Sequence, residues 1–294
     1  MMKLTLVDSA LEKYGIPKWM RVYIQGYVKS NSIISIKRAT AFINVGRKKG
    51  AITKTEIILP NGTKFHKEDM LHLVSLFLYG EERISQISQN WAKSENETQP
   101  SHKRHFAEMS QIESHRARAI KNLLNGLGSK PGKPSEELVY VFDYIESLRY
   151  WEERMVAKKI LLNYSFAKPF GYVFYKIFYP VSPEFMRSFG TAFNNKQPQE
   201  YYGEEEARRI IEDNGISQEK LIELTENVLT LTTRAINTEI PGAKRSSIEK
   251  EVVLLRDISI AYPLHKINEL GVKIDVEEEV AKIKKNALKK KRND

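Results

Sequence analysis

The stretch that decides the fold runs from Ser101 to Asn163 and reads SHKRHFAEMSQIESHRARAIKNLLNGLGSKPGKPSEELVYVFDYIESLRYWEERMVAKKILLN. Residues that end one helix and begin another are concentrated at its Gly/Pro-rich centre, 126–134. On either side, apolar side chains recur at helical spacing. The first stripe is Phe106, Met109, Ala117, Ile120 and Leu124, and the second is Leu138, Val141, Ile145, Val156 and Asn163. The pattern predicts two long helical runs joined by a loop, in a mainly α-helical protein.

A carboxylate interrupts each apolar stripe. Glu113 lies in the first and Glu152 in the second, and Glu81 lies in the stripe of the preceding predicted helix, 68–91. Turning the chain back near residue 97 brings Glu81 and Glu113 level, with Glu152 within about one helical turn of them. An unpaired buried charge costs several kcal/mol, so each of these carboxylates needs a partner. Internal pairing with Arg116 and Arg149 is the favoured interpretation, and a metal site is the alternative.

Carboxylates that face one another inside a helical bundle resemble the ferritin-like di-iron proteins. The resemblance implies an iron or manganese centre held by Glu81, Glu113 and Glu152, with oxidoreductase activity. That family carries Glu-x-x-His on two helices, whereas the comparable positions here read Glu-Ser-His-Arg at 113–116 and Glu-Ala-Arg-Arg at 206–209. A second grouping of possible ligands, His102, His105 and Glu108, is interpreted as decoration of a helix start.

Composition excludes several classes of function. The chain has 294 residues, 41% of them hydrophobic and 29% charged, which is typical of a globular protein. Cysteine is absent, which excludes disulfides, thiolate metal sites and cysteine nucleophiles.

No apolar run is long enough for a membrane span, and no secretion signal is evident, so a cytoplasmic protein is expected. No nucleotide-binding glycine motif or Gly-x-Ser-x-Gly is present, and abundant Lys, Glu and Ile suggest a thermophile.

The positive charge is concentrated at the two ends of the chain. Of the net charge of +10, residues 1–66 carry +9 and residues 282–294 carry +6, which leaves −5 for the remainder. Basic ends of this kind favour polyanions, with nucleic acid first and an anionic membrane surface second. The C-terminal residues are interpreted as either a solvated tail or an arm that contacts phosphates.

The order of elements over residues 17–66 resembles a winged helix-turn-helix domain. Predicted helices are followed by the basic step 47–52, a strand over 53–59, the turn Pro60-Asn61-Gly62 and a return over 63–65. The resemblance implies DNA binding, with one helix in the major groove and the hairpin against the backbone. The residues implicated are Lys37, Arg38, Arg47, Lys48 and Lys49, with Lys64 as a wing contact. The alternative is a small α+β cap with a solvated basic face, because 35–50 is short for both helices of the motif.

Three regions are therefore predicted: a basic winged-helix-like domain over 1–66, a helical-bundle body over 67–268 and a basic helix and tail over 269–294. The aromatic segment 164–179 is interpreted as core or as a contact for a homo-oligomer. The leading functional prediction is a non-catalytic protein that binds nucleic acid, with duplex DNA as the target. The alternatives are a ferritin-like di-metal oxidoreductase and a structural or assembly subunit.

Overall fold

The computed structural model describes residues 51–53, 55–58, 64–94, 97, 99–126, 128–171, 198–239 and 249–289. These residues are mainly helical, as the apolar periodicity predicts. Within these ranges, no helix combines the length and apolar character that crossing a membrane needs. The elements in chain order are β1 (Ala51–Ile52), β2 (Glu56–Ile58), β3 (Lys64–His66), α1 (Lys67–Lys93), α2 (Pro100–Gly126), α3 (Glu136–Ser147), α4 (Trp151–Val156), a π-helix (Ala157–Ala167), α5 (Pro198–Glu212), α6 (Gln218–Glu239), α7 (Glu249–Glu269) and α8 (Val276–Leu288).

The three short strands form an antiparallel sheet that precedes the first helix, with β2 in the centre. Glu56 pairs with His66, so two strands lie where the sequence predicts a hairpin. The Lys67 amide donates to the Thr55 carbonyl at 2.9 Å, which joins the sheet to the start of α1. The turn at 60–62 and the predicted upstream helices lie outside the described residues, so the winged-helix arrangement stays a prediction.

α1 and α2 run antiparallel and supply much of the core. Trp91 packs against Phe106 at a ring-centroid distance of 5.1 Å, and Ser85 donates to the Ser110 carbonyl at 2.9 Å. The hairpin therefore turns near residue 97, as the sequence predicts. The whole first predicted stripe is buried, and so is the carboxylate Glu113 within it.

The second predicted helical run is interrupted once, between α3 and α4, and its second part continues from α4 directly into the π-helix, which corrects the sequence-based expectation. α3 ends at Ser147, the backbone is extended at Leu148 and Tyr150, and α4 begins at Trp151. Because of this break, the residues of the following helix face different sides than they would in one continuous helix. Glu152 is consequently only partly buried, while the next residue, Glu153, is buried instead.

The π-helix lies at the centre of the C-terminal half of the fold. It packs against α4, α5, α6 and α7, and all of its side chains from Ala157 to Phe166 except Asn163 are buried. Tyr164, Phe166 and Phe170, from the predicted aromatic segment, belong to the core, whereas 172–179 lie outside the described residues.

The last helix packs onto the rest of the body through one side. Ile283 is fully buried in a small cluster with Leu229, Ile260 and Leu264 from α6 and α7. The Asp275 side chain accepts hydrogen bonds from two backbone amides at the start of α8 and so caps this helix.

Candidate functional site

The interior of the bundle holds a group of charged side chains, here called the interior ionic cluster: Glu81, Glu113, Arg116 and Lys158. α1 supplies Glu81, α2 supplies Glu113 and Arg116, and the π-helix supplies Lys158. The antiparallel α1–α2 hairpin brings the two carboxyl groups together as the sequence predicts, and a hydrogen bond joins them.

Two cations neutralise Glu113 inside the cluster. Arg116 Nη1 donates to Glu113 Oε2 at 3.2 Å, so this predicted pair is present. Lys158 Nζ lies 3.7 Å from Glu113 Oε1 and donates to Ser88 Oγ at 2.8 Å. The lysine therefore ties the π-helix to both α1 and α2 through polar contacts.

The electrostatics of the cluster favour the ionised form of Glu113. Burial alone would raise the pKa of Glu113, but the hydrogen bond with Glu81 and the charges of Lys158, Arg116 and Lys159 hold that pKa well below its ordinary value. Glu113 is therefore a buried carboxylate that neighbouring cations stabilise.

A second buried lysine borders the cluster. Lys159 Nζ contacts Met109 Sδ at 3.2 Å, and its aliphatic chain packs closely on Gly203 of α5. Nearby, His105 is buried, and its Nε2 has no hydrogen-bond partner among the residues that the structure describes. Burial, followed by the charges of Lys159 and Lys158, lowers the pKa of His105 to about 3, so the imidazole is neutral.

The third predicted carboxylate lies apart from the cluster. Glu152 forms no ion pair or hydrogen bond with Glu81 or Glu113 in the described part of the chain, and the predicted partner Arg149 is exposed. The described ranges contain no group of three or more His, Cys, Asp or Glu that could hold a metal ion. The carboxylates that are present lie against guanidinium and ammonium groups, which repel a divalent cation, so this donor set does not fit a carboxylate-bridged metal pair.

The two histidines at the start of α2 contribute to packing instead of decorating the surface. His102 stacks on Trp151 at a ring-centroid distance of 3.7 Å, and its Nδ1 lies 3.0 Å from Glu97 Oε1. Glu108, the third member of the predicted grouping, pairs with Arg104 on the surface. His105 contacts the same Trp151 ring edge-on at 5.7 Å, so the two histidines share an aromatic partner and Glu108 does not join them.

A further polar contact holds the loop between α2 and α3. His72 Nε2 lies 3.0 Å from Glu239 Oε2, and the other oxygen of Glu239 accepts a hydrogen bond from the Ser135 amide. The hydrogen bond to Glu239 raises the pKa of His72 despite partial burial, so the pair is charged under mildly acidic conditions. This contact joins α1, α6 and the beginning of α3.

Most of the residues predicted to bind nucleic acid lie outside the described part of the chain, namely Lys37, Arg38, Arg47, Lys48 and Lys49. Lys64 is exposed on β3 and pairs with Glu56 at 3.3 Å. At the other end of the chain, Lys282 and Lys284 pair with Glu226 and Asp257 of the body. Part of the C-terminal positive charge is therefore neutralised within the protein.

Sequence reasoning missed the two buried lysines of the π-helix. The available signal was a lysine pair inside the otherwise apolar run 155–162, Met-Val-Ala-Lys-Lys-Ile-Leu-Leu. Solvated lysines rarely interrupt such a run, and a buried lysine needs an acidic or polar partner.

Comparisons with protein-family models, with curated proteins and with solved structures find no match for this chain. Its function must therefore be inferred from its own charges and contacts.

Proposed function

We propose that this protein binds nucleic acid, with duplex DNA as its target, and that it does so without catalysis. The observation that supports this function is the segregation of charge: residues 1–66 carry a net +9 within a chain whose total is +10. A cationic region of this density attracts phosphates and releases the counterions condensed on them.

The finer proposal is a winged-helix arrangement over residues 17–66. A helix that precedes the hairpin would enter the major groove, and Arg47, Lys48 and Lys49 would contact the phosphate backbone. Lys64 would be a weaker contact from the hairpin, because its ammonium already pairs with Glu56.

A salt series tests the function. Fluorescence anisotropy on a labelled duplex gives the dissociation constant at each salt concentration, and the log–log slope is about −0.9 per phosphate contacted. Replacing Arg47, Lys48 and Lys49 with alanine should flatten the slope by up to about three, since each loses one phosphate contact. Single-stranded DNA and RNA of the same length show whether the duplex is preferred.

The far-UV circular dichroism of the triple variant should match that of the unchanged protein if the three cations serve to bind phosphate and not to hold the fold. Deleting the residues after Ala281 would also remove the buried Ile283 and the ion pairs that Lys282 and Lys284 form with the body, so the triple change is the cleaner test of phosphate contacts. A full-length protein that fails to bind any of the three nucleic acids at low salt would disprove the proposal.

The ferritin-like oxidoreductase is the second candidate: Glu81 and Glu113 do meet between α1 and α2, but the cations beside Glu113 favour internal pairing over a metal. Stoichiometric iron or manganese in protein grown with metal would support it over internal pairing. A structural or assembly subunit is the third candidate. A defined homo-oligomer without nucleic-acid binding would support that reading.

A further inference from the structure

A second cationic surface lies on the helical body, at the C-terminal end of α2 and in the loop that follows it. Residues 114–135 include five Lys/Arg and no Asp/Glu. One of the five, Arg116, is buried against Glu113, and the other four are exposed. These four, here called the α2 basic surface, are Arg118, Lys121, Lys130 and Lys133. None of them forms an ion pair with any residue in the described part of the chain.

The loop that carries two of these lysines is anchored at several points. Gly128 adopts a φ of 72°, and the Ser129 amide donates to the Leu124 carbonyl at 3.1 Å, which closes the end of α2. Gly132 packs against His72, and the Ser135 amide donates to Glu239. An anchored backbone loses less conformational entropy on binding than a free arm does, so these lysines are well placed to contact a ligand.

The surface lies at the end of the body where the chain enters from its basic N-terminal region. The antiparallel α1–α2 hairpin places the end of α2 level with the start of α1, and β3 leads directly into α1. Residue 50, the last of the N-terminal residues outside the described part, is joined to β1 of the same sheet. Acidic side chains occupy the first turns of α1 and α3, at 68, 69, 136 and 137.

We propose that the α2 basic surface is a second contact for the phosphate backbone of nucleic acid, engaged together with the basic N-terminal region. This inference rests on the proposed function. Four unpaired exposed cations within a segment that contains no carboxylate complement the charge of a phosphodiester chain. Contacts to phosphate fix the register and orientation of the protein and are insensitive to base sequence.

The test compares two quadruple variants of equal charge in the full chain. The first replaces the α2 basic surface with glutamine. The second replaces four exposed cations outside the surface, Lys93, Arg104, Arg149 and Lys273. Anisotropy over a salt series on a duplex should show the first variant with a slope shallower by up to about 3.6, at about 0.9 for each of four lost contacts, and the second with nearly the slope of the unchanged protein.

Each outcome decides between the two proposals. If the log–log slope becomes shallower by the same amount in both quadruple variants, binding depends only on net charge, and the α2 basic surface is not a specific contact for the phosphate backbone. If the surface variant keeps the full slope while the Arg47, Lys48 and Lys49 variant loses it, the further inference is wrong and the proposed function stands. If the unchanged protein does not bind, both fail.

Hydrogen exchange gives a readout that needs no variant. Adding duplex to the unchanged protein should slow amide exchange over 118–133, relative to the loop at 213–217, which is exposed except at Ile216. Equal exchange with and without duplex at 118–133 would overturn the inference even if the surface variant failed to fold.

Discussion

Replacing Arg116 with methionine is the most informative perturbation of the interior ionic cluster. Methionine fills much of the same volume without the guanidinium, which is buried and lies 3.2 Å from Glu113. Removing one partner of a buried ion pair typically costs about 3–5 kcal/mol, because the other charge stays buried without compensation. Lys158, at 3.7 Å, still opposes Glu113, so the loss should fall near the lower limit, about 3 kcal/mol.

The loss should also depend on pH. The pKa of Glu113 in the folded protein lies below its ordinary value, so ionised Glu113 stabilises the fold above the ordinary glutamate pKa of about 4.3. This stabilisation disappears as the pH falls through the pKa in the folded state. The difference in the free energy of unfolding between the unchanged protein and Arg116→Met should therefore shrink on acidification.

Urea unfolding followed by circular dichroism measures both quantities. Arg104→Met is the matched control, because Arg104 pairs with Glu108 while its own side chain is 82% exposed. The control should lose under about 0.5 kcal/mol, as exposed pairs on helices do. A loss below about 1 kcal/mol for Arg116→Met, or one that does not change with pH, would show that Glu113 is not a buried charge held by this arginine.

Two further predictions concern the loop between α2 and α3. Gly126→Ala should stabilise the protein by up to about 1 kcal/mol, because the position is helical and has no atom within 4 Å of the new Cβ. Gly128→Ala should destabilise it by about 1 kcal/mol, because φ there is 72° and alanine disfavours that region; equal thermal midpoints for the two variants would contradict both assignments. His72 has a pKa raised chiefly by its hydrogen bond to Glu239, so its stabilisation is present below the ordinary histidine pKa and lost as pH rises through the raised value. The unfolding free energy of the unchanged protein relative to His72→Gln should accordingly fall as the pH rises above the ordinary histidine pKa of about 6.5, and a flat difference would exclude a charged pair.

The first half of the body was predictable because its signals are local. The apolar stripes of α1 and α2 repeat at helical period, and Gly128 ends α2 through its own backbone conformation. Burial of Glu113 followed from the same period, since a residue in the middle of an apolar stripe shares the environment of its neighbours. Because α1 and α2 form an antiparallel hairpin, counting residues outward from the turn places Glu113 level with Glu81.

The break after α3 was not predictable, because no local signal marks it. Leu148, Arg149 and Tyr150 include no proline or glycine and are acceptable in a helix. The extended backbone there is stabilised by tertiary contacts: Arg154 Nε donates to the Leu148 carbonyl at 3.0 Å, and Trp151 stacks on His102. The predicted pairing of Arg149 and the predicted alignment of Glu152 both depended on an unbroken helix.

The π-helix escaped prediction for a related reason. Its hydrogen bonds join residues five apart, so the 3.6-residue period that assigns faces in an α-helix does not apply. Lys158 and Lys159, adjacent in sequence, both lie in the interior and take separate partners, Ser88 and Met109. Such a segment persists only where surrounding structure supports it, and four helices pack around this one.

The two faces of α2 use the same residue types for different purposes. Arg116 and Arg118 are two residues apart, which separates them by about 200° around a helix, and one is buried while the other is exposed. Counting charges along the sequence gives the body a net negative charge, and this count does not distinguish the buried arginine of α2 from the exposed cations on its other face. Once the buried, paired Arg116 is set aside, the exposed face from His115 to Lys121 remains cationic. A polyanion would contact this face, and Arg118→Gln should therefore weaken binding to DNA without the loss of stability expected for Arg116→Met.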